Sequence, residues 1–407
     1  MQYKDTAFLC GYFSVKTGNP AATIASQGDF WTPVEYDDKE LSWAKDFYYP
    51  EFAEFMMSDV KTYSHAYDLG FSLTLRDGRE HEVHLDELRT YLFPFGIVMY
   101  SVRVSQQSEQ VQDMLGALFM MRGVCSLNQE ASKDYITLAL DPLIALNRAA
   151  GNSGDFRALM ECGNKLKIFH TLSCAERPAD DASYDALLYG GGTLLVYKEN
   201  DPKGFSKEYY DSIMSGSRVS VFNNWKSLSL LDTYTIVAHD VPDNMLEFWN
   251  KEYFGKMYMY ALYRKFFLFR INGDFRGEIK DVSDVRKDLT AFEKDYTFPK
   301  VSYNFLPEIL MDSMEKGLDV EQETAKIAEM INRENARREA ETGDKMNLFL
   351  GVITCLTLFS AIWDFACLMD GVFEFSTNIG TATGIRACAM ALISIICMAA
   401  IFVRRKK

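Results

Sequence analysis

Two long apolar runs near the C-terminus constrain this chain more than any other feature of its sequence. Met346–Trp363 holds 18 consecutive residues without a charge, and Ala387–Val403 holds another 17. As a helix, the first run covers about 27 Å, or about 36 Å with the following "DFACLM", against a hydrocarbon core of about 30 Å. The pattern predicts two membrane-spanning helices. The alternative, a buried hairpin of a soluble protein, is disfavoured because such hairpins rarely keep both helices apolar on every face.

The charges around these runs predict how they cross the membrane. Arg337, Arg338 and Lys345 precede the first run, the tail 404–407 is "RRKK", and the loop between the runs carries a single basic residue, Arg386. By the positive-inside rule, both ends face the cytoplasm and the loop faces outside. The first 20 residues lack the basic and apolar regions of a signal peptide. We therefore expect a multi-pass protein of the inner (cell) membrane with both termini in the cytoplasm.

Composition narrows the class of partner. The net charge is -14, which argues against a general nucleic-acid or anionic-lipid binder, although a local basic patch stays open. We expect no direct nucleic-acid partner. The eight cysteines form no CxxC pair, and four of them lie in the apolar tail, which favours a reduced set without a zinc site.

The segment before the first apolar run predicts a stalk. Residues 308–345 contain no proline and many good helix formers, so we expect one long helix that feeds directly into the membrane. Val320, Thr324, Ile327 and Ile331 repeat at spacings of 4, 3 and 4, a short heptad stripe that requires a partner helix.

The first 300 residues predict a mixed α/β domain. The expected strands are "AFLCGYFSV", "GFSLTLRDGREHEVHL" with a hairpin turn at Arg76-Asp77-Gly78, "FGIVMYSVRVS", "GGTLLVYKE" and "YTIVAHDV". The expected helices are "SEQVQDMLGALFMMRGV", capped by Ser108, and "NMLEFWNKEYFGKMYMYALYRKFFLF", which should pack centrally. The predicted order is a domain over 1–300, a stalk helix over 301–345, a first transmembrane helix over 346–369, an extracytoplasmic loop over 370–386, a second transmembrane helix over 387–403 and a basic tail over 404–407.

The candidate enzyme motifs lack the residues or the spacing that their chemistry requires. The "HEVH" run at His81–His84 lacks the spacing of a helical zinc motif and reads as a strand. "YGGGT" is not followed by the Lys-Ser/Thr of a Walker loop, and a turn before "TLLVY" accounts for its glycines. His239-Asp240 has no nucleophile motif beside it. The aromatic and basic side chains of "YMYALYRKFFLFR" are typical either of nucleotide binding or of a buried core with a solvent-exposed edge. The second interpretation is favoured. We therefore do not expect an enzyme.

Polar and small residues share one side of the first membrane helix. At 100° per residue the broad face collects Asn347, Gly351, Thr354, Thr357, Leu358, Ala361 and Asp364. An intramembrane carboxylate usually faces a polar interior, so Asn347, Thr354, Leu358, Ala361 and Asp364 are the predicted pore-lining residues. The alternative is that these residues let helices pack closely and that Asp364 pairs with Arg386.

This architecture, an α/β cytoplasmic domain followed by a long stalk helix and two transmembrane helices, resembles the CorA-type magnesium channel superfamily. The family ends its first membrane helix in Gly-Met-Asn, where this chain has Leu368-Met369-Asp370. The resemblance implies a homopentamer with Met369, Asp370 and Glu374 at an outer mouth that attracts cations. The missing triplet counts against selective magnesium transport.

In lacking the Gly-Met-Asn triplet, the chain resembles divergent CorA-like proteins that are associated with type III CRISPR systems. That resemblance implies an antiviral membrane effector opened by a nucleotide second messenger, such as an adenylated S-adenosylmethionine. The alternatives are a magnesium or other divalent cation transporter, with Mg²⁺ as transported or regulatory ion, and a non-conducting receptor. The sequence indicates no particular ligand-binding or metal-binding residues.

Overall fold

The computed structural model describes residues 2–26, 30–123, 139–152, 165–196, 204–276 and 281–373. The chain divides into two compact units, Met1–Ile327 and Ala328–Lys407. The first unit is the predicted α/β domain, and it extends beyond the predicted boundary at residue 300. The second predicted membrane helix, 387–403, lies outside the described residues.

The described strands of the first unit form one sheet. Its order is β2-β3-β4-β5-β1-β6-β9-β8-β7, and β6 and β9 are its parallel pair, whereas the other neighbours are antiparallel. The strands are β1 Tyr3–Ser14, β2 Thr32–Pro33, β3 Lys61–Thr74, β4 Glu80–Phe93, β5 Ile97–Ser108, β6 Lys167–Cys174, β7 Arg218–Val219, β8 Trp225–Ser229 and β9 Thr233–His239.

The helices of the described chain include two π-helical stretches, Phe55–Asp59 and Trp249–Tyr258. The α-helices are α1 Pro20–Ser26, α2 Asp38–Phe47, α3 Pro50–Glu54, α4 Val111–Arg122, α5 Asp141–Ala149, α6 Asp181–Thr193, α7 Lys207–Ser217, α8 Asp243–Phe248, α9 Met259–Arg276, α10 Val282–Asp295, α11 Phe305–Gly317 and α12 Val320–Phe373.

Both faces of the sheet are covered by helices. Side chains alternate along β1, so that Ala7 and Leu9 join the core cluster that includes residues of α4 and α5. Phe8 and Tyr12 point to the other face. There Phe8 stacks on Phe254 with ring centroids 3.7 Å apart, and Tyr12 contacts Phe266 at 4.4 Å. The central strand is therefore buried on both sides, which explains its nearly continuous apolar sequence.

The central helical segment runs from α8 through the π-helical stretch Trp249–Tyr258 into α9. The prediction that it packs centrally is confirmed, because Tyr258, Tyr260 and Tyr263 are fully buried. Its basic residues are paired: Arg264 contacts Glu315, and Lys265 lies 2.7 Å from Glu323. The "YMYALYRKFFLFR" segment is thus core with paired charges.

The prediction of one unbroken helix from 308 onward, within a stalk at 301–345, is wrong. The chain forms α11 and α12, separated by Leu318 and by Asp319, whose φ of 60° ends the first helix. α12 then continues to Phe373 and includes Asp370 and Gly371, so the predicted loop does not begin at 370. A lone glycine costs a helix about 1 kcal/mol, which a long helix tolerates.

Local strand and turn predictions are mostly confirmed. β3 and β4 form the expected hairpin across Arg76-Asp77-Gly78, with Gly78 at φ 82°. The strand predicted for "GGTLLVYKE" is wrong at its start, because Gly191–Thr193 belong to α6. Ser108 ends β5, and its hydroxyl accepts a hydrogen bond from the Gln110 amide rather than capping α4 directly.

Candidate membrane segment and ligand cavity

The apolar part of α12 is exposed over its whole circumference. From Met346 to Ala361 the side chains are exposed or partly exposed, with Phe349 at 61 % and Leu356 at 63 %. Burial of one such side chain is worth roughly 1.5–3 kcal/mol, so water is a poor surrounding for this stretch. By length and composition, α12 is the one helix of the described ranges that can cross a membrane.

The predicted pore-lining residues share this helix. Because α12 is continuous, Asn347, Thr354, Leu358 and Ala361 fall within an arc of about 60°, and Asp364 lies about 60° outside it. The Thr354 hydroxyl donates to the Leu350 carbonyl at 2.8 Å, so this polar group is satisfied inside the helix. The four arc residues and Asp364 are exposed within the described chain.

The predicted outer-mouth residues are only partly placed. Met369 and Asp370 lie in the last turns of α12, whereas Glu374 falls outside the described residues. Arg386, the alternative partner of Asp364, falls outside them as well. The grouping of Met369, Asp370 and Glu374 therefore stays a prediction.

A cavity of about 530 Å³ opens at the carboxyl end of β6. Its volume falls in the range of small-molecule sites, about 300–1,000 Å³. Small side chains on α6 and its preceding loop leave the space empty. The lining residues are Tyr3, Val111, Leu115, Glu176, Arg177, Pro178, Ala179, Ser183, Ala186, Leu187, Gly190 and Val196.

Polar groups at the cavity are few and come from different elements. Tyr3 lies at the start of β1, and burial together with the nearby Cys174 raises its pKa, so the phenol stays a hydrogen-bond donor at neutral pH. Glu176 and Arg177 belong to the β6–α6 loop, and Ser183 to the first turn of α6. Burial raises the pKa of the Cys174 thiol to about 12, which keeps it protonated and unreactive. The cavity thus offers an apolar body and a polar rim for a small organic ligand.

A chain of buried polar groups crosses the sheet beneath α4 and α6. His81 Nε2 is 3.0 Å from Gln106 Oε1, and Gln106 Nε2 donates to Asp5 Oδ2 at 2.9 Å. The other Asp5 oxygen lies 2.9 Å from His170 Nδ1, and His170 Nε2 lies 2.8 Å from the Thr235 hydroxyl. Asp5 is on the same face of β1 as Tyr3, so the polar chain and the cavity share one side of the sheet.

Sequence reasoning missed both the cavity and this polar chain. The five residues of the polar chain lie on five different strands, β4, β5, β1, β6 and β9, so no local spacing connects them. The available signal was weak: polar residues such as Asp5 and His170 stand among apolar strand residues, and a buried polar residue usually needs a partner.

The remaining sequence candidates are structural. His81 is buried in the polar chain, whereas His84 is partly exposed and contacts Asp86 and Asp68. Glu82, next to His81 in β4, is exposed and points to the opposite face of the sheet. His239 Nδ1 is 3.1 Å from Asp240 at the end of β9. Across the described ranges, no group of three or more His, Cys, Asp and Glu side chains is arranged to hold a metal ion.

Comparison of the chain with protein-family models, with curated proteins and with solved structures finds no match. Membership of the CorA-type superfamily therefore stays a prediction from the sequence pattern. The function proposed below depends on the residues of this chain.

Proposed function

We propose that this chain is a ligand-gated membrane channel. Several copies of the chain place their α12 helices around a central ion path. The cavity beside Tyr3 binds the ligand that controls this path. The observation that carries the proposal is one continuous helix, Val320–Phe373, that begins inside the α/β domain and continues as an exposed apolar stretch from Met346. One helix thus includes both residues of the α/β domain and the apolar stretch.

The polar arc of α12 supports a conducting path. Asn347 and Thr354 supply an amide and a hydroxyl on one side, and the wider apolar surface suits lipid. One chain cannot enclose a path with this helix alone, so the assembly contains several copies; the resemblance to CorA-type channels implies five. Asp364 attracts cations, because a carboxylate in an apolar helix is costly unless it meets water or a counter-ion.

The cavity supports a small organic ligand in preference to a macromolecule. The expected ligand is the nucleotide second messenger implied by the resemblance to CRISPR-associated effectors, such as an adenylated S-adenosylmethionine. Tyr3 offers a ring and a hydroxyl, and Arg177 offers a cation at the rim. In this role the ligand opens the channel and the resulting ion leak stops growth of an infected cell.

The test is ion flux through lipid vesicles that contain the full chain. We expect flux on addition of adenylated S-adenosylmethionine and a loss of about tenfold in cation flux for Asp364→Asn, because the variant removes the charge that attracts cations. Glu341→Gln is the matched control, since Glu341 is an exposed carboxylate of the same helix before the apolar stretch. Absence of flux with and without ligand contradicts the proposal.

The same vesicles distinguish the transporter from the effector. Flux that is selective for Mg²⁺, needs no ligand and rescues a magnesium-uptake-deficient bacterium identifies a divalent cation transporter. Flux that needs the ligand and discriminates poorly between cations identifies the effector.

A further inference from the structure

Helix α6, one wall of the cavity, lies unusually close to the sheet through its glycines. A Cβ atom added at Gly192 would stand 2.6 Å from Leu228 Cδ2, and one at Gly191 would stand 2.5 Å from Thr235 Cγ2. The sheet also holds the end of this helix by hydrogen bonds: the Thr233 hydroxyl donates to the Gly192 carbonyl, and His170 Nε2 lies 3.2 Å from the Gly191 carbonyl. α6 therefore has almost no room to move toward β8 without displacing it.

The opposite face of β8 has an equally close contact. A Cβ atom at Gly317 would stand 2.0 Å from Ser229 Oγ and 2.9 Å from the backbone carbon of Ser229. Leu228 and Ser229 are consecutive strand residues, so their side chains point to opposite faces of the sheet. β8 is thus held between Gly192 at the end of α6 and Gly317 at the end of α11.

Gly317 directly precedes the start of the long helix. Two residues later Asp319 takes φ 60°, and α12 begins at Val320. The first turns of α12 are held in the domain by burial of Val320 and Ile327 and by Lys265, which is fully buried and lies 2.7 Å from Glu323. Burial lowers the pKa of Lys265, and the nearby Glu323 carboxylate partly offsets this effect.

We propose that β8 transmits occupancy of the cavity to the start of α12. A ligand that moves α6 displaces Leu228; Ser229 moves with it because the two residues share one strand; and Gly317 follows because it lies against the strand backbone. This inference depends on the proposed function for its biological meaning, but the mechanical link is a property of the α/β domain alone. It specifies how the cavity controls the membrane helix.

The first test needs neither ligand nor channel activity. Gly192→Ala inserts a methyl group against the flexible end of Leu228, so the variant folds with a displaced β8. We expect amide hydrogen exchange in residues 320–327 of the full chain to accelerate about tenfold, although these residues lie across the sheet from the substitution. Gly273→Ala is the matched control: it also lies near the end of a helix, α9, and a methyl group there meets nothing within 4 Å.

Unchanged exchange at 320–327 in Gly192→Ala overturns the link, whatever the channel does. Faster exchange in both variants also overturns the link, because the increase in exchange then does not depend on the contact with β8.

The second test uses adenylated S-adenosylmethionine as the probe in vesicles and in calorimetry. For Gly317→Ala we expect the affinity for the ligand to stay within about twofold of the wild type. Ligand-triggered flux should fall about tenfold, because the added methyl group disrupts the contact between Ser229 of β8 and the end of α11. Ser229→Ala, which removes only the hydroxyl, is the conservative variant if Gly317→Ala does not fold. If Gly317→Ala loses affinity and flux equally, the link is contradicted. If the wild type shows neither binding nor flux, the proposed function is contradicted. In that case the hydrogen-exchange result alone decides whether the link exists.

Discussion

Asp5 shows how much one buried residue contributes to this domain. It accepts hydrogen bonds from Gln106 and His170 and is itself almost fully buried. Removal of one partner from a buried charged network costs about 3–5 kcal/mol, because the remaining groups keep their desolvation penalty without their bonds. The network therefore rigidifies the sheet beneath the cavity.

We predict that Asp5→Ala destabilises the domain by about 3–5 kcal/mol. The measurement is thermal or denaturant unfolding of the full chain in detergent. Asp211→Ala, on the exposed surface of α7, is the control and should change stability by less than about 0.5 kcal/mol. Similar unfolding of the two variants would show that the polar chain is not a cooperative unit.

His84 has two carboxylate neighbours that change its pKa. Asp86 first and then Asp68 raise its pKa above the ordinary value of 6.5. The stabilising contribution is therefore complete below about pH 6.5 and is lost as the pH rises through the raised folded-state value. The ring is 41 % exposed, so solvent screens the pairs and the contribution to stability is small.

We predict that Asp86→Asn lowers the pKa of His84, as followed by the NMR shift of its ring proton during a pH titration. Asp211→Asn leaves the titration unchanged because it contacts neither histidine nitrogen. A His84 pKa at or below 6.5 in the wild-type chain would contradict the paired geometry.

At the scale of elements, α12 combines two environments within one helix. Its first turns carry Val320 and Ile327 in the domain, and its apolar stretch exposes Phe349 and Leu356. A helix that is apolar on all sides is stable only when lipid or another protein surrounds it. Leu318 and Asp319, the latter with φ 60°, separate the end of α11 from the start of α12.

We predict that Leu356→Lys impairs membrane insertion, since a lysine near the centre of a spanning helix costs about 2.5–3.5 kcal/mol. The measurement is the fraction of full chain that resists carbonate extraction from membranes. Ala340→Lys places the same charge on the exposed polar part of α12 and should leave this fraction unchanged. Equal extraction of both variants would argue that protein, not lipid, covers the stretch.

At the scale of the whole molecule, the proposed path requires assembly. A single chain of 46.5 kDa contributes one α12, and a water-filled path needs several such helices around an axis. Exposed Phe349 and Leu356 lie on the side of α12 opposite the polar arc at Asn347 and Thr354, and in the proposed channel the first side faces lipid and the second faces the axis.

We predict a complex of several copies, five by resemblance, in mild detergent. Native mass spectrometry measures the number directly as a multiple of 46.5 kDa. A monomer under all detergent conditions would contradict the channel.

The sequence determined the features that depend on near neighbours in the chain. The uninterrupted apolar run that begins at Met346 predicted a long helix, and α12 contains it; the Arg76-Asp77-Gly78 turn predicted a hairpin because glycine adopts positive φ. Strand β1 and the central helix around Tyr260 were also predicted from the pattern of apolar residues near each other in the chain.

Only the tertiary structure decided where distant residues meet. Gly191 and Gly192 read as a turn in the sequence, yet they lie in α6, where their missing side chains let the helix contact β8 and β9. The Asp5–His170 bond joins residues 165 positions apart, and the Gly317–Ser229 contact joins two further elements. Such pairings depend on the order of strands in the sheet, which local spacing does not encode; the cavity and its link to α12 became visible only when the sheet was assembled.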